Sequence, residues 1–227
     1  MQIITVGGMI GVGKTTYIDK AIARDKEMGL KSKTIYELFE PDRLENSIFK
    51  EKTTRDEVMD LFLKLYYENV DKLTHNDELE RVQGYTVTLG HQVNFLANRA
   101  SKVLDAIEIA KQQGIDILYL DRTIFEDLIF TKRNLFDNQV YWFGYMTVWE
   151  KWFNLVNLAV KEHNLRNIIL VADETTILKR IAKRGREMEQ GEELTDYFKD
   201  LNKDYAKELK EFMQMHGWSS EIINNED

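Results

Sequence analysis

The chain has 227 residues, 43% of them hydrophobic and 31% charged, with a net charge of −8 at neutral pH. That is enough chain for one α/β domain with a large core, and the acidic balance argues against a general nucleic-acid binder. There is no cysteine and there are only four histidines, which excludes disulfides, thiolate catalysis and cysteine-type zinc, and argues against a dedicated metal cage.

The apolar N-terminus has no basic leader and no apolar run reaches membrane-spanning length, so a cytoplasmic protein without a membrane partner is expected. In chain order, Gln2 to Val6 is a short apolar, partly β-branched run that reads as a buried strand. From Gly8 the sequence reads G-x-x-x-x-G-K-T, through Gly11, Gly13, Lys14, Thr15 and Thr16. Apolar residues at helical spacing follow as far as Met28, with Gly29 as a C-cap. Strand, glycine loop and helix form the setting of a P-loop. Its glycines let backbone N–H groups face a phosphate, Lys14 adds a point charge, and the Thr15 hydroxyl suits Mg²⁺.

A second strand is expected over Lys33–Phe39, ended by Glu40 and the only proline, Pro41. Thr54 with Glu57 forms a capping-box signature for a helix carrying Val58, Leu61, Phe62, Leu65, Val70 and Leu73 on one side. The polar stretch from His75 to Gly84 reads as a surface excursion, and Thr88–Gly114 as another helix. A third strand over Ile115–Leu120 runs into Asp121-Arg122-Thr123, and Thr123 with Glu126 is a second capping box.

Tyr141–Lys161 is a helix apolar on more than one face, either deeply buried or shared with another subunit. A fourth strand over Asn167–Ala172 precedes a basic helix, Thr175–Arg186. A last helix is expected over Leu194–Met215 and a short strand near Trp218–Ile223. Strands alternating with helices predict a parallel sheet covered on both faces, with ligands outside the carboxyl ends of the strands.

Gln92 and Arg99 lie seven residues apart, so on a helix they project within about 20° of each other and roughly 10 Å apart along the axis. Phe95 and Leu96 fall between them, giving a polar–apolar–polar face suited to a flat base. Arg180, Arg184 and Arg186 make a cationic stripe.

Taken together, the glycine loop, the Glu-Pro pair, Gln92-x6-Arg99, Asp121-Arg122-Thr123-x3-Asp127 and Arg180-x3-Arg184-Gly185-Arg186 resemble the deoxynucleoside kinase family. Its members include deoxycytidine, deoxyguanosine and bacterial deoxyadenosine kinases. The resemblance implies a single domain over residues 1–227 with an α/β P-loop NTPase fold. Its parallel sheet has about five strands, and an arginine lid spans about residues 180–193. It implies an ATP-dependent 5′-kinase acting with Mg²⁺, and a homodimer through the aromatic helix and its neighbour is expected.

By the same resemblance Glu40 is the general base, with Glu37, three residues earlier, as the alternate; Asp42 stands where the family has valine. Asp121 would hold Mg²⁺, Arg122 would sit at the 5′-oxygen, and Gln92 would hydrogen-bond the base. Arg99 paired with Asp127 would floor the pocket. A small residue replaces that pair in thymidine-tolerant relatives, which points here to purine deoxynucleosides or deoxycytidine. The lid arginines would close on ATP phosphates, and Glu189 or Tyr67 would meet the sugar 3′-hydroxyl. The competing readings are a nucleoside monophosphate kinase and a non-catalytic nucleotide-binding subunit.

Overall fold

Five parallel strands, β1 (Gln2–Gly8), β2 (Ser32–Ile35), β3 (Ile117–Asp121), β4 (Asn164–Val171) and β5 (Glu221–Asn224), form one sheet in the order β2-β3-β1-β4-β5. The structure is a computed structural model that describes residues 1–37, 41–52, 54–69, 72–73, 76–184 and 198–226, without the side chains of residues 55, 60 and 67–69. Helices α1 (Lys14–Glu27), α2 (Thr54–Asn69), α3 (Glu78–Gln113), α4 (Ile124–Leu135), α5 (Gln139–Lys161), α6 (Glu174–Arg184) and α7 (Tyr205–Met215) complete the described elements used below.

The two-residue period of the strands sends successive side chains to opposite faces. Ile3, Leu118, Leu120 and Ile169 enter one core, packed with α3, α4, α5 and α7. Ile4, Val6, Tyr119 and Leu170 enter the other, closed by Ile18 and Ile22 of α1. Helices therefore cover both faces, as the alternation in the sequence requires.

Several boundaries differ from the sequence expectation. β2 stops at Ile35, so Glu37 lies just past the strand instead of within it. The expected surface excursion is largely helical: α3 starts at Glu78, capped by the Asp77 carboxylate, which accepts from the N–H groups of Leu79 and Glu80. On α2 the buried positions are Asp56, Met59 and Tyr66, while Val58 and Leu61 are exposed. Phe62, Leu65 and Leu73 of the expected stripe are only partly buried, with the Phe62 ring against His91 of α3 at 5.3 Å, and the buried Asp56–Lys102 ion pair fastens α2 to α3. The last helix is broken: residues 198–202 are helical, bends follow at 203–204, and α7 begins at Tyr205.

The aromatic helix α5 is buried along one side and exposed along the other. Tyr145, Trp149, Phe153, Val156 and Val160 are buried, while Val140, Phe143, Leu155 and Leu158 remain exposed on the opposite side. Trp149 is fully buried, stacks on Phe153 at 5.0 Å and donates its indole N–H to the Ile124 carbonyl at 3.0 Å. Trp149→Ala opens a cavity under α4 and removes that hydrogen bond, with an expected stability loss of about 3–5 kcal/mol. Denaturant unfolding checks this; a loss below about 1 kcal/mol, the size of a typical surface change, contradicts it.

Candidate active site

Register brings the chemistry together at the carboxyl edge of the sheet. Val6 lies opposite Asp121 and Ile35 opposite Leu120. The ends of β1, β2 and β3 therefore place the glycine loop, Glu37 and Asp121-Arg122 side by side. They surround a cavity of about 550 Å³, lined also by Thr15, Thr16, Arg180 and Arg184.

The loop geometry depends on Gly8, Gly11 and Gly13, all with positive φ. Gly8 has φ 143°, and a Cβ there would lie 2.6 Å from the Leu170 carbonyl oxygen. Gly13, at φ 93°, turns the chain into α1 from the left-handed region. Lys14 folds back on the loop, its ammonium donating to the carbonyls of Gly8 and Met9 at 2.7 and 3.1 Å. Burial first, and nearby Arg122 second, push Lys14 down to about 8 against the pull of Glu126 and Asp121.

The Thr15 hydroxyl donates to Asp121 Oδ2 at 3.0 Å. Asp121 Oδ1 is buried and has no partner among the described residues, and burial pushes this carboxyl up to about 6 against Lys14. A hydroxyl oxygen beside an unsatisfied buried carboxylate fits a hard divalent cation such as Mg²⁺. Among the described residues there is no cluster of three or more acidic or histidine groups for a metal. Nucleotide phosphates would have to complete the coordination.

Arg122 is the only described non-glycine residue with positive φ, at 80°, a conformation that costs of order 1–3 kcal/mol. Its guanidinium lies between two carboxylates. Nε sits 2.5 Å from Glu37 Oε1, an ion pair without hydrogen-bond alignment, and Nη1 donates to Glu126 Oε1 at 3.0 Å. The Phe130 ring lies 5.3 Å below it.

Glu37 also faces Arg99 at 3.6 Å. Burial alone raises the Glu37 pKa, but Arg122, Arg99 and Lys14 outweigh it and hold the carboxyl well below the usual range. Arg99 in turn grips Asp127 with two hydrogen bonds, at 2.9 and 3.3 Å.

The expected base-reading face is present in part. Gln92 is buried on the same side of α3 and contacts Thr131 of α4 at 3.3 Å, one turn beyond Asp127. It lines neither the main cavity nor the small one beside it. That second space, between Glu37, Phe95, Asn98 and Arg99, measures about 30 Å³. It is the size of one water, not of a nucleobase.

Arg180 lines the main cavity and donates to the carbonyls of Val12 and Asn225, each at 2.9 Å. Arg184 lines it too. Glu40, Arg186 and Glu189 lie outside the described residues, as does the side chain of Tyr67.

Two contributors escape the motifs. Asn225, from the chain after β5, donates to Val12 O at 2.7 Å and lines the cavity; nothing in its local sequence signals this. Glu126 was legible only as a cap. Its Oε2 does accept from the Thr123 N–H at 2.7 Å, but Oε1 reaches the glycine loop.

The model of the family described as deoxynucleoside kinase matches residues 4–227. A Mycoplasma pneumoniae protein, named Uncharacterized protein MG268 homolog, is 31% identical over 226 residues, covering 97% of this chain and 81% of its own length. Uncharacterized protein MG268 of Mycoplasma genitalium is 27% identical over 207 residues, covering 89% and 74%. Structures of deoxyadenosine kinase from M. mycoides, with dCTP or dATP bound, superpose with TM-scores of 0.55 and 0.57 at 22% identity. They cover 100% of this chain and 92% of theirs, and show the shared fold. The chain belongs to the deoxynucleoside kinase family and is a kinase that transfers a phosphoryl group to a deoxynucleoside.

Proposed function

We propose that the protein transfers the γ-phosphoryl group of ATP to the 5′-hydroxyl of a purine deoxynucleoside or deoxycytidine, releasing the 5′-monophosphate and ADP. The carrying observation is one carboxylate, Glu37, held by Arg122 between the Lys14 loop and the Arg99–Asp127 pair. The loop, Lys14 and the arginines at residues 180, 184 and 186 receive the donor phosphates. Thr15 and Asp121 hold Mg²⁺, which supplies charge neutralisation. The acceptor lies on the α3–α4 side, with Gln92 at its base and Glu189 or Tyr67 at the sugar. The M. mycoides enzymes named as deoxyadenosine kinases, with dATP and dCTP bound, support this choice of bases.

In the transfer, the 5′-oxygen attacks the γ-phosphorus, the bond to the ADP oxygen breaks, and the hydroxyl proton passes to Glu37. A loose phosphoryl transition state asks little of the base until bond cleavage is advanced. An ionised, aligned acceptor therefore suffices despite its low pKa. Nucleoside binding has to widen the space at Arg99, which the loosely aligned Glu37–Arg122 and Glu37–Arg99 contacts permit. We also propose one domain with residues 180–193 as lid, a cytoplasmic location in nucleotide salvage, and a homodimer through the exposed face of α5.

Steady-state ADP release with deoxyadenosine, and separately with its 5′-monophosphate as acceptor, tests the reading. ADP release that depends on the nucleoside supports it; dependence on the monophosphate makes the protein a monophosphate kinase instead.

Lys14 gives a pH signature. With its pKa lowered to about 8, the free protein loses this proton above that pH, and bound phosphate restores it. ATP binding at pH ~8.5 therefore takes up more than half a proton, and at pH ~6.5 none at this group. Titration calorimetry in two buffers of different ionisation enthalpy measures this; no uptake at the higher pH contradicts it.

A further inference from the structure

The sequence assigns Glu126 a helix cap, and the transfer described above makes no use of it. Its side chain is nonetheless fully buried and saturated with donors from two distant parts of the chain and from its own turn. Oε1 accepts from the Gly8 N–H at 3.2 Å, Arg122 Nη1 at 3.0 Å and the Tyr205 hydroxyl at 2.8 Å, while Oε2 accepts from the Thr123 N–H. Gly7 has the room this needs: a Cβ there would sit 3.2 Å from Oε2. One oxygen atom thus joins the first peptide of the phosphate loop to the guanidinium that faces the acceptor.

Arg122 makes the joint consequential. It occupies a strained backbone conformation and is shared between Glu126 on one side and Glu37 on the other. With Glu126 present, Arg122 stays in place when Glu37 turns to the substrate hydroxyl. Without it, the guanidinium has only Glu37 among the described residues to neutralise it, and the two lock together.

Resting on the kinase reading above, we propose that Glu126 is a positioning residue: it fixes Arg122 relative to the glycine loop and leaves Glu37 free to accept the proton. A buried charge-assisted network of this kind acts as a unit, so removing two members costs less than the sum of the single losses.

The test is a double-mutant cycle on the full chain with Glu126→Gln and Arg122→Met. Glu126→Gln preserves shape, and its melting temperature is measured alongside. We expect it to lower kcat at least tenfold, with KM for the deoxynucleoside changed less than threefold. In the Arg122→Met background the same change should lower kcat less than threefold. Additive losses, or a Glu126→Gln protein with wild-type kcat and only a lower melting temperature, overturn the proposal and leave Glu126 a structural cap. The cycle is repeated on Mg-ATP affinity, measured by fluorescent-nucleotide displacement, which needs no acceptor. There Glu126→Gln alone should weaken binding at least threefold through the Gly8 contact, and unchanged affinity overturns that half. If the wild type phosphorylates no deoxynucleoside, the kinase reading fails, and the affinity cycle still decides the role of Glu126.

Discussion

Glu37→Gln is expected to reduce turnover by ~10²–10⁴-fold, the usual contribution of a positioned proton acceptor, while the Kd for Mg-ATP stays within a few-fold of wild type. The amide keeps the shape of the carboxylate but cannot take the 5′-hydroxyl proton. It also removes the anion between Arg122 and Arg99, so those two cations repel across the acceptor space. Lys14 and the glycine loop do not depend on Glu37 for their contacts, which is why donor binding survives. Glu40, which lies outside the described residues, is the necessary companion: with Glu37 as the proton acceptor, Glu40→Gln is expected to change kcat less than about threefold. Steady-state kinetics on both variants, with an ATP titration, separates the two carboxylates. A larger loss in Glu40→Gln than in Glu37→Gln moves the base to Glu40.

The second large effect belongs to the Arg99–Asp127 pair. Asp127 is almost wholly buried, and both of its oxygens serve Arg99. Asp127→Ala leaves a buried guanidinium with, among the described residues, only the Glu37 contact at 3.6 Å, and an expected loss of about 3–5 kcal/mol in unfolding free energy. Arg99→Met combined with Asp127→Ala removes both charges and is expected to regain most of that loss. The double variant also clears volume where the wild type leaves only about 30 Å³. Selectivity against the thymine methyl should then fall by ~10-fold or more, since one such group in a pocket is worth about 1–3 kcal/mol. Denaturant unfolding and the ratio of kcat/KM values for deoxyadenosine and thymidine check both parts. An unchanged ratio removes this pair from base selection.

What could be read from the sequence was mostly local backbone geometry. The spacing of Gly8, Gly13 and Lys14 specifies a loop conformation by itself, and the observed φ angles of the glycines are what that spacing implies. The Asp121-Arg122 turn was legible because a strand runs into it and a cap leaves it. The start of α3 was not: Leu79 and Val82 in its first turns are exposed among charged neighbours and mark no core face, although Asp77 followed by Glu78 and Glu80 was a usable cap signal.

Which acidic residue enters the cleft depends on the pairing of β2 with β3, Ile35 opposite Leu120. The proline, a local cue, favoured Glu40, which lies outside the described residues; strand register places Glu37 beside Arg122. Glu126 was half read for a related reason. Its contacts to Gly8 and Tyr205 span 118 and 79 residues of chain, and no local pattern encodes a partner at that distance. The exposed apolar side of α5 was visible as composition, but only packing shows which residues the core takes.

One measurement bears most directly on the central claim that a phosphate cradle and a nucleoside slot share the Glu37 carboxylate. Transfer of label from γ-³²P-ATP with Mg²⁺ is followed with each of the four deoxynucleosides in turn. The account predicts labelled 5′-monophosphate from deoxyadenosine, deoxyguanosine or deoxycytidine, at least ~10-fold faster than from thymidine. Label that stays in ATP, or appears only as inorganic phosphate whatever the acceptor, contradicts it.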